Sequence, residues 1–457
     1  MMRSLYSGVA GLKTHQTRMD VIGNNIANVN TTAYKSQSMT FSDLMYQTTQ
    51  AASGANPTTG VGGVNARQIG LGAKTAAIKT AITSQGASQT TNDPFDLMIT
   101  GENFFVVSNG TQNFFTRDGS FYVDGVGNLC MTSTGYNVMG WLCDDTTGEI
   151  KQDIVKPLQI MSAKYLTYAP EATTLAQMSG IVDSFDTNIT NTDGKLVTLD
   201  FYDKLGYKYT AMFSIHDDVD GTQTDGKFKL VLDKIKDPKG NELPAATFDA
   251  IKLDGAETAS PHELIVEFST TDGSLVQIGT TADSKTFGID FSGASTDPNF
   301  PNAITVDCSA MSNLNNNGAS TAVATRGSDK GLGSGRMLGE MSGVAIQKDG
   351  KIYATYDNGM SRLLGQIATA SFANASGLAK EGDNLYSSTQ NSGDFDGIGV
   401  DITAGGGYMN SGVLEMSNVD LSAEFTEMIT TQRGFQANSR IITVSDTLLE
   451  ELTNLKR

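Results

Sequence analysis

LSAEFTEMITTQRGFQANSRIITVSDTLL, residues 421–449, carries Leu421, Met428, Phe435, Ile442 and Leu449 at a strict seven-residue spacing. A sustained apolar repeat of seven is the mark of a helix that packs lengthwise on another helix. The companion positions Phe425, Gln432, Ser439 and Asp446 are mostly polar, so the stripe is thin. The opposite end of the chain carries the same pattern. Leu5, Leu12, Met19 and Ile26 recur every seven residues, while Met2, Val9, Gln16 and Gly23 start apolar and then fail. Two thin stripes suit a helix pair that also packs on neighbours. The charges agree: residues 1–35 set Arg3, Lys13, Arg18 and Lys35 against Asp20 alone. Residues 411–457 set four basic residues against seven acidic ones. Opposite signs favour pairing of the two ends, although each exposed pair is worth at most about 1 kcal/mol. The plainer alternative is two unrelated amphipathic helices on a globular body.

Between the ends the texture turns to β. Phe104-Phe105-Val106-Val107, Leu196 to Tyr202 and Leu264-Ile265-Val266-Glu267-Phe268 are strand-like, and Asn109-Gly110, Asp193-Gly194, Asp272-Gly273 and Asp349-Gly350 punctuate them. Asn-Gly and Asp-Gly supply the positive φ that hairpin turns require. Gln50–Gly63, Gly327–Gly335 and Thr403-Ala404-Gly405-Gly406-Gly407 read as linkers.

A chain of 457 residues has room for several domains, and 39% hydrophobic content supports real cores. Its 49 glycines exceed the usual share of roughly 7%, as expected of β-rich domains with tight turns. A formal charge of −18 argues against nucleic acid, whose binders need a basic stripe. No stretch approaches the ~20 apolar residues of a membrane span, so no membrane insertion is expected. Residues 1–8 lack the apolar core and cleavage site of a secretory signal peptide. Cys130, Cys143 and Cys308 are too few and scattered for a disulfide framework.

Catalytic and metal patterns begin and then break. His262-Glu263-Leu264-Ile265-Val266 places Val266 where a second zinc-binding His belongs. The run from His216 to Gly221 has His216 at the first carboxylate position of a calcium loop and Lys227 at the last. Gly72-Ala73-Lys74-Thr75 lacks the adjacent Gly-Lys of a phosphate loop, and Gly331-Leu332-Gly333 opens no dinucleotide motif. No catalytic, cofactor-binding or metal residue is assigned, and no enzyme activity is expected.

Two motifs then point to one family. Asn24-Asn25-Ile26-Ala27-Asn28-Val29-Asn30-Thr31, followed by Ala33-Tyr34-Lys35, resembles the N-terminal signature of the bacterial flagellar rod, hook and hook-associated axial proteins. Ser417-Asn418-Val419-Asp420-Leu421 and Gln432-Arg433-Gly434-Phe435-Gln436-Ala437-Asn438-Ser439-Arg440 resemble the matching C-terminal signature. The signature residues are thus Asn24, Asn25, Asn28, Asn30, Asn418, Asp420, Gln432, Arg433, Gln436 and Asn438. Within the family the hook subunits are most similar. Thr40-Phe41-Ser42-Asp43-Leu44 and Gly350 to Gly359 look like hook segments, and the distal rod subunit resembles a version with a much smaller middle.

The resemblance implies a multidomain α+β chain that runs out and back. Residues 1–70 with 406–457 would form a coiled-coil inner domain, 71–150 with 330–405 a β-rich middle domain, and 151–329 an outer β-rich domain. The implied function is a structural subunit of the hook, the curved flexible tube that acts as a universal joint between rod and filament. Its implied partners are copies of itself in a helical homopolymer, the distal rod protein, the hook-associated junction proteins and the hook cap. The flagellar type III export apparatus, which would deliver it outside the cell body uncleaved, and the hook-length ruler complete the set. The seven-residue stripes become candidates for the assembly seam. Some hooks in the family carry Lys–Cys cross-links between subunits, for which Cys143 is the first candidate and Cys130 the second. A distal rod or hook–filament junction protein is the alternative reading, and a secreted β-rich adhesin a remoter one.

Overall fold

Helices form where the two sevenfold stripes lie, at Met2–Ala27 and Leu421–Asn454, and almost everything between them is strand or turn. The computed structural model describes residues 2–54, 60, 62–217, 226–256, 260–293 and 299–455. The calcium-like run beyond Asp217 and part of the Gln50–Gly63 stretch lie outside the described residues. Asp420 opens the last helix: its carboxylate accepts from the N–H groups of Ser422 and Ala423, at 2.9 and 3.3 Å. That satisfies donors that the first turn leaves unpaired, and Glu424 adds favourable charge there. The first helix stops at Asn28, whose side-chain amide turns back to donate to the Asn24 carbonyl.

The chain divides into two units, one of Met1–Tyr165, Gly343–Thr355 and Ser361–Arg457, the other of Leu166–Ser342 and Tyr356–Met360. In the first unit the outgoing and returning chain share sheets. Ser88–Thr90 pairs antiparallel with Val413–Glu415, and Leu97–Thr100 with Tyr408–Ser411. Its main sheet interleaves the two halves in the order Lys351–Tyr356, Ser361–Ile367, Asn137–Leu142, Phe104–Ser108, Asn113–Thr116, Leu385–Ser387 and Ala379–Gly382. Phe104, Val106, Phe115, Trp141 and Tyr386 form the core against it. The Trp141 indole N–H keeps its polar end satisfied by donating to the carbonyls of Asp153 and Ile398. Asn109-Gly110 makes the turn between Phe104–Ser108 and Asn113–Thr116, with Gly110 at φ +92°.

The second unit holds two five-stranded sheets. One runs Lys195–Tyr202, Lys208–Asp217, Lys227–Lys236, Glu263–Phe268, Leu275–Ile278, all antiparallel. The other runs Lys252–Leu253, Thr286–Asp290, Ala303–Asn313, Leu175–Val182, Val323–Arg326, with Leu175–Val182 and Ala303–Asn313 parallel. Alternation sets the buried faces: Tyr209, Ala211, Phe213 and Ile215 point inward from one strand, Phe228, Leu230 and Leu232 from the next. They join Phe201, Phe287 and Cys308 in a single core.

Three stretches that read as linkers are built otherwise. The Gly, Ala and Thr content near residue 50 belongs to a long two-stranded ribbon. Gln37–Asp43 pairs with Ala73–Thr80, Tyr46–Gln50 with Arg67–Gly70, and Ser53 bridges to Val64. Gly327–Gly335 is pinned to the edge of the second unit: Thr174 and Leu175 donate their N–H groups to the Gly333 carbonyl, and Thr173 Oγ1 donates to that of Ser334. Ile402–Gly405 is a turn of 3₁₀ helix capped by Asp401. Close approach requires glycine at Gly333, Gly335 and Gly407, where a Cβ would stand 2.5–2.7 Å from Thr174, Thr173 and the Thr100 carbonyl.

Candidate assembly site

The signature asparagines stand where the chain leaves the first helix and where it enters the last one. Asn25 is fully buried. Its Nδ2 donates to the Gln37 carbonyl at 2.7 Å and to Glu424 Oε1 at 2.8 Å, and its Oδ1 accepts from the Gln37 N–H at 2.9 Å. One carboxamide therefore pairs with a backbone as a neighbouring strand would and holds the last helix as well. Asn24 donates to Tyr34 Oη at 3.0 Å, and Thr31 Oγ1 donates to Asn28 Oδ1. Asn418 does the same work from the other end: its Oδ1 accepts from the Ser36 N–H at 2.7 Å, and its Nδ2 donates to the carbonyls of Ala81 and Ser84.

Beneath these amides lies a buried charge cluster that sequence inspection missed. Lys35 Nζ donates to Glu415 Oε1 at 2.6 Å and to the Ser84 carbonyl at 2.7 Å. The same carboxylate oxygen accepts from the Gly86 N–H at 2.9 Å, and Arg117 Nη1 stands 3.9 Å from Oε2. All three charged side chains are at most 1% exposed. Two cations thus share one carboxylate, and Arg117 is held further by the Gly101 carbonyl and the face of Phe104. Burial pushes Lys35 below its ordinary pKa, with Glu415 opposing the shift, and burial lowers Arg117 in the same way. Gly86 is required by space: a Cβ there would lie 1.8 Å from the Met416 carbonyl oxygen. Lys35 was visible only as part of a motif, and nothing in the sequence announces Glu415 or Arg117 as its partners.

The two helices run antiparallel. Arg18 Nη2 meets Glu427 Oε2 at 3.0 Å, Asn25 meets Glu424, and Gly8 faces Ile442. The backbones come close because the seam is small. A Cβ on Gly11 would stand 2.7 Å from Asn438 Nδ2, and one on Gly434 would stand 2.7 Å from His15 Cε1. On the last helix the buried positions are Thr431 and Ser445, in line with Glu424 and Asn438 at the same sevenfold spacing. The contact therefore follows a polar line three residues on from the apolar stripe. The apolar positions Leu5, Leu12, Met19, Ile26, Met428, Phe435, Ile442 and Leu449 are half-buried, and Leu421 is exposed. Ser445 Oγ bonds its own helix at the Ile441 carbonyl, whereas Thr431 Oγ1, His15 Nδ1 and Glu424 Oε2 are buried in the seam without a hydrogen-bond partner among the described residues.

The remaining signature residues point elsewhere. Asp420 caps the helix, Asn438 lies half-buried against Gly11, and Asn30, Gln432, Arg433 and Gln436 are exposed. Cys130 is buried with its thiol 3.2 Å from Asn137 Oδ1, and Cys143 is half-buried; burial raises both thiols. Cys308 lies in the second core with its pKa pushed up to about 12. The histidines are committed separately: His15 in the helix seam, His216 to Ser214 Oγ, His262 to the Ile251 carbonyl. Among the described residues no group of three or more His, Cys, Asp or Glu converges on a metal position, and no helix is long and apolar enough to cross a membrane.

Comparison with known proteins bears on the same segments. Residues 5–35 match the family described as "Flagella basal body rod protein". Residues 98–165 match "Flagellar hook protein FlgE/F/G D1 domain", and residues 410–455 match "Flagellar basal body rod FlgEFG protein C-terminal". The chain is 37% identical over 480 aligned positions to the flagellar hook protein FlgE of Treponema pallidum, with the whole of both chains covered. It is 35% identical to that of Borreliella burgdorferi, again over the whole of both chains. It is also 28% identical to the flagellar basal-body rod protein FlgG of Bacillus subtilis, across the whole of both.

Proposed function

The chain belongs to the flagellar hook protein family and is a structural subunit of the extracellular hook, and we propose that its joined ends are the part that polymerises. Residues 1–70 with 406–457 form the coiled-coil inner layer of the tube, 71–150 with 330–405 a β-rich middle domain, and 151–329 the outer domain. The observation that carries this reading is the pairing of full-length likeness to hook subunits with an end-to-end joint whose apolar flanks stay partly exposed. Asn25, Asn418 and Glu415 fix the two ends to each other. Leu5, Leu12, Met19 and Ile26 on one helix, with Leu421, Met428, Phe435, Ile442 and Leu449 on the other, then offer their half-exposed faces to neighbouring copies. Burying those faces releases roughly 25 cal/mol per Å², so ordering of the ends goes with assembly. The distal rod protein, the hook-associated junction proteins, the hook cap, the type III export apparatus and the hook-length ruler are the further partners.

Cells deleted for this gene are expected to carry basal bodies without hooks under the electron microscope, and the purified chain in polymerising salt to form short tubes. Hooks of normal form on the deletion strain refute the reading. The likeness to the rod protein FlgG supports a second reading, a distal rod subunit. Under it the deletion leaves cells with a truncated rod.

Any covalent joining of subunits runs through Cys143, because Cys130 is packed away against Asn137. The expected result is that bands above monomer surviving hot detergent disappear in Cys143→Ser hooks and persist in Cys130→Ser hooks. Hooks that dissociate completely in hot detergent before any substitution exclude the cross-link.

A further inference from the structure

Gly331-Leu332-Gly333-Ser334-Gly335, which opens no dinucleotide motif, forms one wall of a cleft of about 670 Å³ that lies wholly within the second unit. That volume is in the range of small-ligand sites, roughly 300–1,000 Å³. The wall is held in place, since a Cβ on Gly333 or Gly335 would collide with Thr174 or Thr173. Gly331, Gly333 and Gly335 all have positive φ, at +72°, +69° and +64°. Among the described residues the N–H groups of Gly333, Ser334 and Gly335 donate to no acceptor. Successive peptide N–H groups around left-handed glycines make an anion-binding concavity. Two guanidinium groups line the same cleft. Arg326 lies over the Tyr202 ring, 4.5 Å from its centroid, and among the described residues its side chain has neither an ion pair nor a hydrogen bond. Its neighbour Asp200 is committed to Lys208 and Thr210. Arg336 lies over Tyr168 and pairs with Glu171, and its Nε is buried without a partner among the described residues. The other acid of the wall, Asp357, spends Oδ1 on the Glu340 N–H. Donors thus outnumber acceptors here. Leu332, 64% exposed, and Met337, 42% exposed, form an apolar rim.

We propose that this cleft binds a peptide carboxylate, with Arg326 as its charged anchor, the N–H groups of Gly333, Ser334 and Gly335 as neutral donors, and Leu332 and Met337 against the apolar side chains that flank it. A guanidinium meets a carboxylate through two parallel hydrogen bonds, and stacking on Tyr202 sets its plane beforehand. One carboxylate fills only part of the cleft, and the apolar rim suits the peptide that carries it. The carboxylate comes from an acidic side chain or from a chain terminus, which present the same two oxygens. The site stands on the second unit alone and is independent of the hook reading.

The test uses the full-length chain under non-polymerising conditions with three fluorescent peptides of equal length, read by anisotropy. The first has a central glutamate between two leucines and an amidated end. The second has glutamine at the centre and a free terminal carboxylate, and the third has glutamine and an amidated end. The first, the second or both are expected to bind at least tenfold more tightly than the third, and whichever does so identifies the source of the carboxylate. Arg326→Gln is expected to bring that peptide down to the level of the third. Leu332→Asp, which sets a carboxylate on the rim, should do the same by repulsion. Both side chains are exposed, so both variants should keep the wild-type circular dichroism and melting temperature. Three peptides that bind alike, or that do not bind, overturn the assignment. So does binding of an acidic peptide that survives either substitution.

Discussion

Glu415→Gln is expected to destabilise the first unit by about 3–5 kcal/mol, the cost of breaking a buried ion pair by removing one partner. In a unit of this size that lowers the melting temperature by about 10 °C. The carboxylate lies between two buried cations, and it also receives the Gly86 N–H. Glutamine is nearly the same size and keeps one acceptor, so packing survives and the loss reports charge. Lys35, already lowered by burial, can shed its proton, but Arg117 cannot, and its guanidinium is left buried without the carboxylate beside it. Lys35→Met should cost less, because Arg117 and Glu415 still balance. The check is thermal unfolding of the full-length variants followed by circular dichroism. A Glu415→Gln chain melting within 2 °C of wild type, or a Lys35→Met chain melting below the Glu415→Gln chain, would contradict this account.

The second large effect is expected in assembly. Met428→Asp and Ile442→Asp each place a carboxylate on the half-buried flank of the last helix. Covering an unpaired carboxylate at a subunit contact costs several kcal/mol, far more than one contact residue contributes. Neither variant should form tubes at any practical concentration. The second unit shares no residue with this flank, so its own unfolding transition should be unchanged in calorimetry. Ile442 also faces Gly8 across the helix seam, so Ile442→Asp should loosen the pair within one chain as well, whereas Met428→Asp should act on assembly alone. Tubes of normal form from Met428→Asp would remove the apolar flank from the seam.

The sequence made the two terminal helices and the β texture between them legible, because a sevenfold stripe and Asn-Gly or Asp-Gly turns are local signals. The line of contact between the helices was not. A search for apolar repeats passes over Glu424, Thr431, Asn438 and Ser445, although they recur every seven residues, because small and polar side chains form a close seam only opposite glycines such as Gly11. The ribbon was hidden for a related reason: exposed strands lack the inward-facing alternation that marks Lys208–Asp217. The Lys35, Glu415 and Arg117 cluster joins residues hundreds of positions apart, and charge counting over the ends treated Lys35 and Glu415 as surface groups.

That separation bears on the order of events in folding. The Lys35–Glu415 bond closes a loop of 380 residues, and a contact so distant in sequence forms late and slowly. On a chain emerging from its N-terminus, the first helix and Asn25 wait without partners until Glu415, Asn418 and Glu424 arrive. A subunit cut short anywhere before residue 415 has no seat for Lys35, so the joint distinguishes finished chains from incomplete ones before any neighbour does.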